Sequence, residues 1–187
     1  GAAYATNYGT FTSWAQSGNT NDNVGFMLLD RPVGVLSSLL PVRVGTDSEF
    51  TNTTFSNPGY PDFDLNRPYV RSGRFDGAPS QYTICHGQNP NGLWGSPAIA
   101  NSATYSIQSH TVGETTCHVR ITEAKNATIQ QFIQDNTPAQ ADLIPLKVRP
   151  AFTSVQAGGV SPIDFFIHNY SSVAWSGPIN VSVYLST

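Results

Sequence analysis

The chain has 187 residues, a formal net charge of −3 and only 11% charged residues, less than half the roughly 25% of an ordinary soluble domain. That balance leaves no basic footprint for nucleic acid. No apolar run approaches the roughly 20 residues of a membrane-spanning helix. The polar surface must come from Ser, Thr, Asn and Gln, which suits an extracellular β-protein. Gly1 opens the chain with no charged-then-apolar leader, so a processed N-terminus or missing upstream sequence is expected.

In chain order, the turn-rich stretch from Gln16 to Asn21 leads into an apolar strand, Val24 to Leu29. Val33 to Val44 reads as apolar, with Pro41 inside it. Further short strands are expected at Tyr69–Arg71, Gln81–Cys85, Ala98–Ala100, Tyr105–Ser109 and Cys117–Ile121, with Gly, Pro and Asn clusters between them. Short, evenly punctuated strands of this kind predict a barrel or a sandwich. One helix is expected: Thr122 serves as N-cap, Ile129, Phe132 and Ile133 recur at i, i+3 and i+4, and it ends near Asn136. Residues 137–141 read as a linker. Beyond it, Asp142–Val148, Ile163–His168 and Ile179–Leu185 read as strands, with a turn at Val155–Gly159. These 46 residues are too few for a sandwich, which needs about seven strands in roughly 100 residues, so only part of that domain is expected here.

Cys85 and Cys117 are an even count that pairs in an oxidising compartment or stays as two buried thiols. Asn52, Asn126, Asn169 and Asn180 open N-x-[ST] sequons, a pattern that chance supplies in so Asn- and Thr-rich a chain. Asp62, Asp64 and Asn66 have calcium-loop spacing, but Arg67 stands where Gly is needed and no Glu closes the loop, so they read as solvated loop residues. Neither a metal nor a cofactor is expected.

The most informative stretch is Asn91-Gly92-Leu93-Trp94-Gly95-Ser96-Pro97-Ala98-Ile99. It resembles the nucleophile loop of trypsin-like serine proteases, Gly-x-Ser-Gly-[Gly/Ser]-Pro before an apolar strand. There glycines let the backbone turn tightly and aim N–H groups at an oxyanion. Asn21-Asp22-Asn23-Val24-Gly25-Phe26 resembles the segment carrying the triad aspartate. Ile107-Gln108-Ser109-His110-Thr111-Val112-Gly113 resembles the strand of the specificity pocket. The segment from Val119 through the following helix resembles the close of the second barrel. Taken together, residues 8–135 are most similar to bacterial glutamyl endopeptidases. The resemblance implies an all-β, chymotrypsin-like arrangement: the end of a first barrel over 1–45 and a second barrel with its closing helix over 46–136. From Asp142 on, the chain resembles adhesion-related, immunoglobulin-like (CARDB-type) repeats of exported bacterial proteins, implying a partial β-sandwich over 142–187.

The departures from the protease pattern bear most on function. The nucleophile position falls on Trp94, which has no oxygen to activate. The triad aspartate position falls on Asn23, and an amide there costs a triad about ten-thousandfold in rate. Ser96 and Asp22 are the rescue candidates, each adjacent to or near the required position. None of His86, His110, His118 or His168 stands in a triad setting. The resemblance further implies an oxyanion loop at Gly92, Leu93, Trp94 and Gly95, a pocket lined by His110, Thr111 and Gly113, and a Cys85–Cys117 disulfide between neighbouring strands. His110 reads either as a retained pocket for an acidic side chain or as a satisfied strand-end histidine. Trp94 is expected to plug the site or pack beneath it rather than project as a binding aromatic. The expected function is that of a secreted, non-catalytic protease homologue that binds a peptide or protein, with the missing upstream half of its own chain as another candidate partner. The alternatives are a fragment of an active endopeptidase cleaving after acidic residues, and a structural or adhesive β-module.

Overall fold

The computed structural model describes residues 3–31, 33, 39–62, 67–87 and 93–183. The protein is mostly β. It falls into two compact units, Gly1–Gln134 and Asp135–Thr187.

The first unit opens with a two-stranded antiparallel ribbon, β1 (Ala5–Thr10) against β2 (Gly25–Leu29). Between them lie α1 (Thr12–Ser17) and a 3₁₀ turn over Thr20–Asp22. Gly18 ends α1 at φ 64°, a conformation open to glycine at little cost. Next comes α2 (Asp47–Asn52), which starts in a capping box. The Glu49 N–H donates to Thr46 Oγ1 at 3.2 Å, and the Thr46 N–H donates to Glu49 Oε2 at 2.8 Å.

The main sheet is antiparallel and seven-stranded. Its strands are β3 (Phe55–Gly59), β4 (Tyr69–Gly73), β5 (Gly77–Ser80), β6 (Thr83–Gly87), β7 (Pro97–Ala100), β8 (Ala103–Val112) and β9 (Thr115–Arg120). Their spatial order is β4-β3-β7-β8-β9-β6-β5, and the sheet curls into a half-barrel. The curl brings its ends together: Arg71 of β4 donates to the Gly87 carbonyl of β6. One face buries Phe50, Phe55, Phe75, Ile84, Ala98 and Tyr105, whose rings meet mostly edge to face. Val119 packs with Phe11 and Val24 in a second cluster, against which Phe26, Ile107 and Ile129 lie. Ile129 belongs to α3 (Glu123–Asn136), which also sets Phe132 edge-on to Phe26. The helix starts as expected, with the Lys125 N–H donating to Thr122 Oγ1 at 3.3 Å.

The second unit pairs β10 (Leu143–Pro150) with β11 (Ile163–Asn169) in an antiparallel ribbon. None of its described residues is buried. Asn169 organises the ribbon end: its Oδ1 accepts from the Asp142 and Ser171 N–H groups, and its Nδ2 donates to Val173 O.

Two strand expectations need correction. The described part of Val33–Val44 forms no strand, only one parallel bridge from Val42 to Thr104. Pro41 lacks an N–H, so a ladder there would be incomplete; it serves instead as acceptor for the Thr104 N–H. Residues 179–183 are irregular despite their alternating pattern, and Tyr184 and Leu185 lie outside the described residues. Alternation specifies a strand only where a neighbouring strand accepts its hydrogen bonds. β1, β3, β5, α1 and α2 were not foreseen.

Candidate functional site

The site assembles where β8 is irregular. Gln108 pairs with His118 and His110 with Cys117, so Ser109 is an extra residue opposite no partner. Such a bulge re-aims a side chain off the regular pleat. Here the Ser109 hydroxyl meets Asn23, which follows the 3₁₀ turn: Asn23 Nδ2 donates to Ser109 Oγ at 3.0 Å. On its other side Ser109 Oγ lies 3.2 Å from His110 Nδ1. The hydroxyl keeps its proton and a second lone pair, so it can donate to the imidazole or accept from it according to the His110 tautomer. His110 is half-buried, and burial holds its pKa below the usual histidine value. Asn23, Ser109 and His110 thus form a connected run of neutral donors and acceptors.

The loop facing it turns at Trp94–Gly95, where Gly95 takes φ 85°. The Gly95 N–H donates to Gln108 O at 2.8 Å, and the Ser96 N–H to Leu93 O at 3.0 Å. Both amides of this half-loop are therefore occupied internally. Gly92 lies outside the described residues. Leu93 takes the buried position, 1% exposed, and a Cβ on Gly59 would come within 2.6 Å of its Cδ2. Trp94 is 66% exposed, which corrects the expectation that it plugs the site or packs beneath it: Leu93 already fills the space, and the turn carries the indole outward. Asn23, Trp94, Gln108 and Ser109 line one cleft of about 460 Å³ together with Phe26 and Ile129, and none of its described lining residues is charged.

The rescue candidates point elsewhere. Ser96 is buried, and its Oγ accepts from Asn57 Nδ2 at 2.8 Å; it does not line the cleft. Asp22 lines a different cleft. Its carboxylate pairs with Lys125 Nζ at 3.3 Å and accepts from Ser13 Oγ and, at 3.2 Å, from Asn19 Nδ2. Lys125 is buried and also donates to Asn21 O at 2.5 Å and Arg120 O at 3.3 Å, so its three N–H groups all have acceptors. Desolvation lowers the Lys125 pKa, and Asp22 opposes that shift.

Thr111 pairs with Thr116, and Gly113 sits at φ 60° in the turn from β8 to β9, past the reach of the cleft. Cys85 and Cys117 stand directly opposite on β6 and β9 and form a disulfide, with Cα atoms 4.2 Å apart. Among the described residues no cluster of three or more metal-ligating side chains occurs.

One polar feature was missed. His86 and His118 face each other inside the sheet, Nε2 to Nε2 at 3.0 Å, and are 7% and 0% exposed. The signal was present: Cys85-His86 and Cys117-His118 repeat one dipeptide. With the cysteines opposed in antiparallel strands, the residue after each lies on the other face, diagonally across from its counterpart.

Compared with known protein families, curated proteins and solved structures, the chain matches none of them.

Proposed function

We propose that this chain is a trypsin-like serine protease homologue without protease chemistry, acting outside the cell as a binding module. The observation that supports this reading is that Asn23 and Trp94, whose sequence contexts resemble those of the triad acid and the nucleophile, line one cleft. An amide that donates to Ser109 cannot stabilise an imidazolium, and an indole cannot attack a carbonyl. The remaining oxygen nucleophile in the loop, Ser96, accepts from an asparagine and is turned away. What the cleft retains is an exposed aromatic rim, neutral amides and a hydroxyl, the composition of a ligand site rather than a reaction centre. A peptide or protein segment without charge at the contact is the partner this wall accepts.

In the same reading, residues 1–45 end a first protease-like barrel, 46–136 form the second, and 142–187 belong to an immunoglobulin-like repeat that spaces or displays it. The Cys85–Cys117 disulfide supports an oxidising, extracellular location. The test is incubation with a fluorophosphonate probe followed by peptide mass spectrometry. No adduct is expected. An adduct on Ser96 would overturn the reading and make the chain an enzyme.

A further inference from the structure

We infer that the His86–His118 pair is an acid-sensitive latch on the seam of the curled sheet: neutral, it holds the β4 end of the sheet against β6, and on protonation it lets that end go.

The geometry requires one ring to donate and the other to accept. His86 Nδ1 lies 3.0 Å from Arg71 Nη1, which only donates, and 2.6 Å from Gly87 O, which only accepts, while Arg71 also donates to that carbonyl. In either tautomer one Nε2–H donates to the other ring's Nε2 across 3.0 Å. His118 Nδ1 faces Ser106 Oγ, a hydroxyl able to donate or accept, at 3.4 Å. Each ring holds one proton and no charge.

A further proton has two places to go. On the accepting Nε2 it sets two N–H groups against each other and breaks the contact. On the unprotonated Nδ1 it places a charge on a buried ring and, at His86, sets an N–H against the Arg71 guanidinium. The surroundings oppose either. Arg71 Nη1 of β4 stands 3.0 Å from His86 Nδ1, Arg74 lines the same small cavity, and His110 approaches from β8. Asp76 is the facing group that favours the proton. Phe75 covers both rings, with centroids 5.3 and 5.1 Å away. Burial and the neighbouring cations accordingly lower both histidine pKa values, His118 furthest.

The direction of release follows from what is stapled. The Cys85–Cys117 disulfide joins β6 and β9 beside the pair, so the strands bearing the histidines stay together. On the other side the seam is held by Arg71 on Gly87 O, by the Phe75 ring and by the Asp76 N–H on Cys85 O at 2.8 Å. β5 adds only two register pairs to β6, with an irregularity between them. An imidazolium repels Arg71 and is solvated once Phe75 lifts away. Proton uptake is therefore linked to opening of Tyr69–Ser80.

Hydrogen exchange on the full, oxidised chain tests this between pH 7.5 and 5.0, after correction for the intrinsic pH dependence of exchange. The opening of Tyr69–Ser80 is expected to rise by about tenfold per pH unit for each histidine that charges below the normal value near 6.5. Amides of β8 and β9 should keep their protection. A flat profile overturns the latch, as does an equal rise in every segment. His118→Gln should remove the acid step from Tyr69–Ser80, and a variant that keeps it at full size also overturns the proposal. If that variant does not fold, imidazole NMR of the unaltered chain decides. Rings that stay neutral until Tyr69–Ser80 opens support the latch; either ring titrating near 6.5 with protection intact overturns it.

Discussion

Asn23 and Ser109 are 86 residues apart in the chain, and their side chains meet at 3.0 Å, the amide donating and the hydroxyl accepting. That bond ties the 3₁₀ turn to the bulge of β8. Reversing it should be visible at His110. In Asn23→Asp the carboxylate accepts a hydrogen bond from the Ser109 hydroxyl and adds a negative charge near the imidazole, which favours its protonated form. The His110 pKa should rise relative to the parent, read from its imidazole NMR titration. The change in stability should be about 1 kcal/mol, the scale of one hydrogen bond. An unchanged His110 titration would mean the two groups are not coupled through Ser109.

Trp94 tests whether the rim is a surface or part of the core. With the indole 66% exposed, Trp94→Ala should move the urea midpoint by no more than corresponds to about 0.5 kcal/mol. A loss of several kcal/mol would show that the indole packs, and would remove the aromatic rim from the binding reading.

The disulfide closes a loop with a sequence separation of 32. On loop-closure entropy, the double variant Cys85→Ala/Cys117→Ala should lose about 3–4 kcal/mol. Urea unfolding with and without reductant measures it, and the variant should not respond to reductant. If reduction leaves the parent's midpoint in place, the staple contributes little.

Lys125 and Asp22 pin α3 to the 3₁₀ turn, immediately before Asn23. Lys125 is buried and Asp22 retains 20% exposure, so removing the lysine leaves a carboxylate only partly able to rehydrate. Lys125→Ala should cost about 3 kcal/mol, the lower end for a broken buried pair. Lys125→Met keeps the packing and should cost less. Equal losses would show that packing, not charge, dominates at this position.

Stability should fall with acid. His118 has its folded pKa well below the unfolded value of 6.5, so the unfolded chain binds the proton first. The contribution is at its full value above pH 6.5 and declines as pH drops below it, by up to about 1.4 kcal/mol per unit for this one group. Urea midpoints at pH 7.5, 6.5 and 5.5 measure the slope, which His118→Gln should flatten.

Much of the first unit was legible in residue pattern. The strands around Phe26, Val70, Ile84, Ile99, Ile107 and Val119 and the helix after Thr122 follow from apolar runs between turn residues and from a 3.6-residue period. The helix α2 was legible too, as Thr46-x-x-Glu49, but it has only six residues and one buried side chain, Phe50, so no period marks it. The ribbon strand β1 has mostly exposed residues on both faces and offers no alternation.

From residue types alone it follows that Trp94 cannot be a nucleophile and Asn23 cannot be an acid, because no fold gives an indole an activatable oxygen or an amide a negative charge. The protein's low charge and its β-rich make-up follow in the same way. Only the tertiary structure decided that Ser96 is turned to Asn57, that Asp22 is held by Lys125, and that Trp94 is exposed. It also decided that His86 and His118 share a proton bridge at a seam closed by Arg71. A side chain's identity limits what it can do. Its direction and partners depend on bulges, turns and strand order, which are set by contacts between residues far apart in the chain.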